Sequence, residues 1–267
     1  MTLVFKIVIV YALILGLLLL NQNRLIFRPS RDFPLKPSQF ALQPEEVHFK
    51  SADGTDLHGW FFSSGENAPY LLFCHGNAGN ISDRLPNIKL LLEIPINAFI
   101  FDYRGYGLSQ GKPTEKGVYE DTEAAYEFLH KKKRAKPEYI TIFGRSLGGA
   151  IAIELALRKP VGSMILESTF YSLKDLVGRI FPYMLFYPFI PSRFNNGEKI
   201  KNIHVPVLFI HGDADTTVPW TQGKKLFEAA NHPKEFWLVK GAHHTDAYEI
   251  NPTEYLSRLR DFILTTR

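Results

Sequence analysis

The sequence predicts an α/β protein with a mainly parallel β-sheet, preceded by an apolar N-terminal segment. Short apolar runs rich in β-branched and aromatic residues alternate along the chain with longer segments of helical pattern. These runs are mostly continuous rather than alternating, as expected of strands that are buried on both faces. Strands that alternate with helices form right-handed crossovers, which produce a parallel sheet. With 267 residues, the chain is long enough for one large domain of this class.

An antiparallel hairpin is predicted at the start of the domain, because Glu46–Ser51 and Thr55–Ser63 alternate around an Ala-Asp-Gly turn. Six further strands are predicted, namely Tyr70–Cys74, Ala98–Phe101, Tyr139–Phe143, Ser163–Leu166, Val207–Ile210 and Glu235–Val239. The helical segments between them include Val118–His130, Ile151–Leu157 and Gln222–Ala230. In such sheets ligand chemistry lies beyond the carboxyl ends of the strands, so site residues should follow the strand ends.

The first residues of the chain predict a membrane anchor. Leu3–Leu20 is apolar except for Lys6. Eighteen helical residues reach about 27 Å, close to the roughly 30 Å hydrocarbon core of a bilayer. No small-residue cleavage site follows, which favours a retained anchor over a cleaved signal peptide. We therefore expect a single-pass anchor at 1–22, a proline-containing linker at 23–45 and a domain at 46–267.

The distribution of charged residues indicates on which side of a membrane the domain would lie and whether nucleic acid is a partner. Basic residues between 24 and 36 follow the apolar span, which favours a domain on the cytoplasmic side, although a long domain can also cross. The net charge of +4 is small. Its one dense run, Lys131–Arg134, ends a predicted helix, where cations complement the helix dipole. We therefore predict no nucleic-acid partner.

Cofactor chemistry has no support in the sequence. Cys74 is the only cysteine, so no intrachain disulfide can form. It lies in an apolar run, where a thiol packs as a small hydrophobic group. No spacing of Cys and His residues resembles a zinc site. We predict neither a metal nor an organic cofactor.

The strongest local signal is the sequence Gly-Arg-Ser-Leu-Gly-Gly at 144–149, between a predicted strand and a helical run. It has the form Gly-x-Ser-x-Gly in a strand–turn–helix setting, where the glycines permit a tight turn. Such a turn raises the hydroxyl of Ser146 above the sheet, at the start of a helix. The alternative is a glycine-rich helix cap. The setting favours Ser146 as a nucleophile.

A serine hydroxyl needs a base, and the base needs an orienting acid. The loops after two later strands carry both, in the order acid and then histidine. The first loop holds Asp213 and Asp215, of which Asp215 is preferred because it lies deeper in the loop, before Val-Pro. The second holds His243 and His244, of which His244 is preferred. Asp102, after another strand, is an alternative acid.

Acyl transfer also needs N–H groups that stabilise an oxyanion. The backbone N–H of Leu147, directly after the serine, is one candidate. The other is expected from the loop at 75–80, His-Gly-Asn-Ala-Gly-Asn, where we choose Asn77. His75 is expected to be a structural hydrogen-bonding residue.

Further polar residues are expected to be structural. Asp102 and Arg104 lie in the sequence Phe-Asp-Tyr-Arg-Gly-Tyr-Gly at 101–107 and are expected to hold the oxyanion loop in place. Asp121, on the next predicted helix, is expected to be a solvated or capping carboxylate.

The motifs together resemble one group of the α/β-hydrolase superfamily. The resemblance rests on six motifs. Two are the loops at 75–80 and 144–149, and the other four are Asp-Tyr-Arg-Gly-Tyr-Gly-x-Ser, Glu-Ser-Thr-Phe, Gly-Asp-x-Asp-x-x-Val-Pro and Gly-Ala-x-His. They are similar to the membrane-anchored α/β-hydrolase-domain group, which includes protein depalmitoylases and serine peptidase-like proteins. The resemblance covers roughly 46–267. It implies an eight-stranded sheet with helices on both faces and a short cap, and a triad of Ser146, Asp215 and His244.

This chain departs from the group at two places. Near the histidine the group usually has Gly-His-Asn-Asp, whereas this chain has His-His-Thr-Asp at 243–246. The known depalmitoylases also have a cysteine-rich, palmitoylated N-terminus, whereas this chain begins with an apolar span. Their cellular role is therefore not transferred.

The predicted cap, at about 169–201, contains the apolar stretch Phe181–Pro191 with three prolines. It is interpreted either as an acyl-chain or membrane-contacting surface or as core packing of the cap. The leading hypothesis is a serine hydrolase that cleaves a carboxylic ester or thioester with an apolar acyl group, through an acyl-enzyme. Its substrate would be a small-molecule or lipid-like acyl compound, or an acylated protein. The alternatives are a serine peptidase or amidase with the same triad, and a non-catalytic membrane scaffold.

Overall fold

An eight-stranded β-sheet organises the computed structural model, which describes residues 3–180 and 193–266. The strands are β1 Glu45–Lys50, β2 Asp56–Phe62, β3 Tyr70–Cys74, β4 Asn97–Asp102, β5 Ile140–Arg145, β6 Ser163–Glu167, β7 Val207–Gly212 and β8 Lys234–Val239. Across the sheet they lie in the order β1-β2-β4-β3-β5-β6-β7-β8. Strand β2 is antiparallel to β1 and β4, and the other neighbouring strands are parallel. The predicted eight-stranded, mostly parallel sheet is confirmed.

Helices cover both faces of this sheet. The described helices are α1 Leu3–Leu20, α2 Gln22–Ile26, α3 Leu85–Leu91, α4 Glu115–Glu127, α5 Leu147–Arg158, α6 Leu173–Ile180, α7 Asn196–Lys199, α8 Trp220–Ala229, α9 Ala247–Ile250 and α10 Pro252–Thr265. Helices α4, α5 and α8 pack on one face, and α3 and α10 on the other. Alternation along β3 shows why two cores form: Leu72 and Cys74 join the first cluster, and Leu71 and Phe73 the second.

The parallel direction of the central strands places their loops together. The loops after β3, β5, β7 and β8 all leave the sheet at its carboxyl edge, because these strands run the same way. Asn77, Ser146, Asp215 and His244 lie in these four loops, and Leu147 is the first residue of α5. The sheet therefore brings the candidate residues to one edge, as the sequence predicted.

The apolar N-terminal stretch is helical over the eighteen residues of α1. At 1.5 Å per residue this helix reaches about 27 Å, slightly less than the roughly 30 Å of a bilayer core. In the described part of the chain, no helix is both long enough and apolar enough to cross a membrane. The predicted anchor is therefore not confirmed, and the membrane location stays a prediction.

The predicted cap is only partly described. The apolar stretch Phe181–Pro191 lies outside the described residues, so its predicted role in acyl-chain binding stays a prediction. After it, Phe194 is fully buried, and its ring meets the rings of Phe27 and Tyr119 edge to face. This contact joins the end of the cap to helix α4 and to the segment after α2.

Candidate active site

Ser146 occupies a sharp turn between β5 and α5. Its backbone has φ of 54° and ψ of −117°, a conformation that non-glycine residues rarely adopt. A backbone hydrogen bond ties the turn to the neighbouring strand β6, since the N–H of Ser146 donates to the carbonyl of Glu167 at 2.8 Å. A strained residue at a loop edge is a common feature of functional sites. The turn predicted from Gly-x-Ser-x-Gly is present.

Steric crowding explains why both flanking positions of this motif, Gly144 and Gly148, are glycine. A Cβ on Gly144 would lie 2.6 Å from the carbonyl oxygen of Gly148, at the start of α5. A Cβ on Gly148 would lie 2.0 Å from the carbonyl oxygen of Cys74, at the end of β3. Both distances are far below van der Waals contact. Glycine therefore allows α5 to begin directly against the strands that carry it.

His244 lies beside Ser146. Its Nε2 atom is 3.0 Å from Ser146 Oγ, and its Nδ1 atom is 2.7 Å from Oδ2 of Asp215. An ionised carboxylate only accepts hydrogen bonds, so Nδ1 carries the proton and Nε2 is free to accept from the serine hydroxyl. The structure thus brings the three predicted residues into one hydrogen-bonded chain.

Asp215 is held as a charged, oriented group. Its Oδ1 accepts the backbone N–H groups of Thr217 at 2.9 Å and Val218 at 2.8 Å. Burial by itself raises the pKa of Asp215, but hydrogen bonds from His211, His244 and Val218 outweigh it and lower the pKa well below its usual range. Asp215 is therefore ionised at neutral pH and able to orient His244.

His211 is a site residue that sequence reasoning missed. Its Nε2 atom lies 3.3 Å from Oδ2 of Asp215 and 2.8 Å from the carbonyl oxygen of Val218. The ring fits because Gly223 faces it, where a Cβ would lie 2.3 Å from Nδ1. Its position at the end of β7, two residues before Asp213, was the available signal.

The neighbouring candidates have other partners. Nδ1 of His243 is 3.1 Å from the carbonyl of Ala214, and Asp213 accepts the N–H of Gly241 at 2.7 Å. Both contacts satisfy backbone groups of the two loops, as expected of polar residues in turns. Asp102 faces His58 and His75 at 4.0 and 3.7 Å, whereas Asp215 is the carboxylate at His244.

The predicted oxyanion donors belong to two segments that adjoin the serine, the start of α5 and the loop after β3. The N–H of Leu147 is the first of α5, and the first N–H groups of a helix have no intrahelical acceptor. The loop after β3 approaches through Gly76, where a Cβ would lie 3.7 Å from Cβ of Ser146. The side chain of Asn77 donates to the carbonyl of Ile26 at 3.0 Å. Because this side chain is bonded to Ile26, the backbone N–H of Asn77 is the expected donor, and this role stays a prediction.

The segment predicted to be a linker orders this loop. Arg28 and Pro29 pair in parallel with Ala78 and Gly79, and the N–H of Arg28 donates to the carbonyl of Asn77 at 2.8 Å. The N–H of Ser30 donates in turn to Gly79 at 3.0 Å. Part of the 23–45 segment therefore belongs to the candidate site, which sequence reasoning missed.

Buried polar and charged groups hold Arg145, the residue directly before Ser146. Nε of Arg145 lies 2.6 Å from Oε1 of Glu167, whose Oε2 accepts the hydroxyl of Tyr255 at 2.6 Å. The guanidinium also donates to Asn87 at 2.9 Å. Burial lowers the pKa of Arg145, but Glu167 and other groups outweigh burial and raise it, so the guanidinium is charged. It connects the residue before Ser146 to β6 and α10.

Three residues that were expected to be structural, Asp102, Arg104 and Asp121, can be compared with their contacts. Asp102 accepts the N–H of Ile81 at 3.0 Å, so it holds the end of the oxyanion loop as expected. Arg104 does not reach that loop; it binds the buried carboxylate of Asp121 at 2.7 Å and Asp53 at 2.8 Å. The predictions for Arg104 and Asp121 were wrong, because a buried cation and a buried anion stabilise each other across the β4–α4 connection.

His75 is buried and uncharged. Its Nδ1 lies 2.7 Å from the carbonyl of Gly76, and its ring packs against the rings of Tyr103 and Tyr106. Burial lowers the pKa of His75 to about 3, so it is neutral at physiological pH. The expected structural role of His75 fits these contacts.

The strand order and the serine turn between β5 and α5 define the α/β-hydrolase fold. The family model for the α/β-hydrolase fold matches residues 69–188. A relative from Mycobacterium tuberculosis, an uncharacterized protein, is 35% identical over 250 residues, covering 92% of this chain and 88% of its own. The α/β-hydrolase domain-containing protein WAV2 of Arabidopsis thaliana is 32% identical over 244 residues, covering 82% and 79%.

Solved structures agree at the level of the fold. An esterase from Pyrococcus furiosus superposes with a TM-score of 0.76 and 23% identity, covering 90% of this chain and 98% of the esterase. The chain belongs to the α/β-hydrolase family. The family and the buried His–Asp pair support a hydrolase activity.

Proposed function

We propose that this protein is a serine hydrolase in which Ser146 is the nucleophile, His244 the general base and Asp215 the group that orients it. One observation carries the proposal: two hydrogen bonds of 3.0 and 2.7 Å connect the serine hydroxyl through the imidazole to an ionised carboxylate. Nucleophile, base and orienting acid each stand at the end of a different strand, in the chain order of this fold.

The geometry supports an acyl-enzyme mechanism. As Ser146 Oγ attacks the substrate carbonyl carbon, Nε2 of His244 takes the hydroxyl proton, and Asp215 stabilises the imidazolium. The N–H groups of Leu147 and Asn77 donate to the oxyanion. His244 then protonates the leaving group, and the acyl group stays on Ser146. Water, deprotonated by His244, releases the acid in the second half of the reaction.

The proposed substrate is a carboxylic ester or thioester with an apolar acyl group. The esterase from Pyrococcus furiosus, which has the same fold, is the comparison that favours ester chemistry. The apolar character of the acyl group rests on the composition of the predicted cap. An amidase with the same three residues is the competing outcome.

Two experiments test the proposal. A fluorophosphonate probe should label the folded protein at Ser146 and leave Ser146→Ala unlabelled; labelling of neither protein would contradict a nucleophilic serine. Ester and thioester series of increasing acyl length should show higher kcat/KM at octanoyl than at acetyl. A preference for acetyl would reject the apolar acyl group, and turnover of short aminoacyl amides without chain preference would indicate the amidase.

A further inference from the structure

Three side chains with metal-binding atoms meet on the β1–β2 hairpin, at the edge of the sheet away from β8. They are Glu46 and His48 on β1 and His58 on β2. The register places His48 directly opposite His58, and Glu46 opposite Trp60. Residues two apart on a strand share a face, and so do opposite residues of a pair. All three side chains therefore leave the hairpin on one face.

The distances between their polar atoms are short. Oε2 of Glu46 lies 3.4 Å from Nε2 of His58 and 4.0 Å from Nε2 of His48. One ligand atom from each residue can be chosen so that all lie within 4.8 Å of one another. The ligands of a tetrahedral zinc ion, at about 2.05 Å, stand about 3.4 Å apart. The cluster is therefore near ligation distances, and its members need to move by about one ångström or less to reach them.

His58 makes the cluster more than a surface coincidence. It is only 1% exposed, and within residues 3–180 and 193–266 neither ring nitrogen has a hydrogen-bond partner. A buried polar atom without a partner is costly. Its Nε2 points to the carboxylate of Glu46, and the side chains of Glu46 and His48 are 58% and 70% exposed. A cation can thus arrive from solvent past the two exposed side chains and bind an imidazole whose nitrogens make no hydrogen bond in the described part of the chain.

A second carboxylate stands behind His58. Nδ1 of His58 lies 4.0 Å from Oδ2 of Asp102, its cross-strand neighbour on β4. A histidine that binds a metal through one nitrogen usually donates from the other to a carboxylate. The other oxygen of Asp102 holds the N–H of Ile81.

We propose that Glu46, His48 and His58 form a binding site for a divalent transition-metal ion of the zinc type, with one coordination position left to water. Two imidazoles and one carboxylate suit zinc better than calcium or magnesium, which prefer oxygen ligands alone. Asp102, whose Oδ2 is 4.0 Å from Nδ1 of His58, is the carboxylate that would accept the Nδ1–H once the ion binds Nε2. The ion joins β1 to β2 and is separate from the serine site, so its role is to stabilise the hairpin.

The test is calorimetric titration of the full chain with Zn²⁺. We expect one ion per chain with a micromolar or lower Kd, and a higher Tm in its presence. His48→Ala and Glu46→Gln, both at exposed side chains, should each weaken binding at least about tenfold without unfolding the protein. His204→Ala, at an exposed histidine outside the hairpin, is the matched control and should bind as the wild type does.

Co²⁺ provides a second readout. Its visible absorption should show the bands of a four-coordinate nitrogen–oxygen site, and His48→Ala should remove them. Binding of less than one equivalent of Zn²⁺ would overturn the proposal. So would binding that His48→Ala and Glu46→Gln reduce no more than His204→Ala does; the short Glu46–His58 distance would then be an ion pair.

Discussion

Replacing Asp215 with asparagine changes the group that orients His244 without changing its size. Oδ1 of Asp215 accepts two backbone N–H groups, from Thr217 and Val218. The oxygen of an asparagine must occupy that position, because its NH₂ cannot accept. The NH₂ group then faces Nδ1 of His244, where Oδ2 stands 2.7 Å away in the wild type. A donor there forces the proton of the imidazole onto Nε2.

The expected loss follows from this geometry. With the proton on Nε2, His244 cannot take the proton of Ser146, whose Oγ is 3.0 Å away. The transition state also loses the attraction between imidazolium and carboxylate. With charge centres about 4 Å apart and an effective dielectric constant near 20, that attraction is about 4 kcal/mol, or about three decades in rate. Adding the tautomer change, we expect kcat/KM to fall by about 10³–10⁴-fold.

The assay is steady-state hydrolysis of a short-chain aryl ester by wild type and Asp215→Asn. Asp213→Asn is the matched control, because Asp213 accepts only a loop N–H from Gly241 in the described contacts. It should keep kcat/KM within about fivefold of the wild type, because a lost exposed hydrogen bond costs about 0.5–1 kcal/mol, which is no more than about fivefold in rate. Circular dichroism should show both variants folded.

Two results would refute this reasoning. If folded Asp215→Asn kept more than a tenth of the wild-type kcat/KM, Asp215 would not set the tautomer of His244. If Asp213→Asn lost as much as Asp215→Asn, the two loops would respond to any change of charge near β7, and the chain Ser146–His244–Asp215 would not explain the activity.

Three further predictions concern the same site. His244→Ala should nearly abolish ester hydrolysis whereas His243→Ala should leave most of it, and the reverse order of the two kcat/KM values would move the base to His243. Gly148→Ala should lower the free energy of unfolding in urea by about 1–3 kcal/mol, since its Cβ meets a carbonyl oxygen at 2.0 Å, whereas Gly76→Ala, with 3.6 Å to its nearest neighbour, should unfold like the wild type. The pKa of Asp215 is lower in the folded protein than in the unfolded chain, so its stabilisation is present above about pH 4 and is lost as pH falls through the folded pKa. The difference in urea stability between wild type and Asp215→Asn should therefore be smaller at pH 3 than at pH 6, and equal differences would contradict the lowered pKa.

The local parts of the fold were predictable. The hairpin, the six later strands and the start of α5 agree with the structure to within a few residues, because hydrophobic periodicity and glycine sterics act between near neighbours in the chain. The turn at Ser146 was predictable for the same reason, since its glycines must let one strand end and one helix begin without a Cβ between them.

The choice between neighbouring side chains was less predictable. His243 and His244 are adjacent in the chain, and the conformation of the loop after β8 decides which imidazole faces Ser146. The roles of Arg104 and Asp121 were also misjudged. Seventeen positions separate them, and only the packing of α4 on the sheet makes their charges partners.

The sequence by itself therefore determined the sheet, the serine turn and the small set of candidate acids and bases, since these depend on local sterics and on the direction of parallel strands. Only the tertiary structure decided the pairing of Arg28 with the Asn77 loop, the contact of His211 with Asp215 and the meeting of His48 with His58. Arg28 and Asn77 are far apart in the chain, and His48 meets His58 through strand register. His211 and Asp215 are only four positions apart, but the path of the loop after β7 decides whether the imidazole faces the carboxylate.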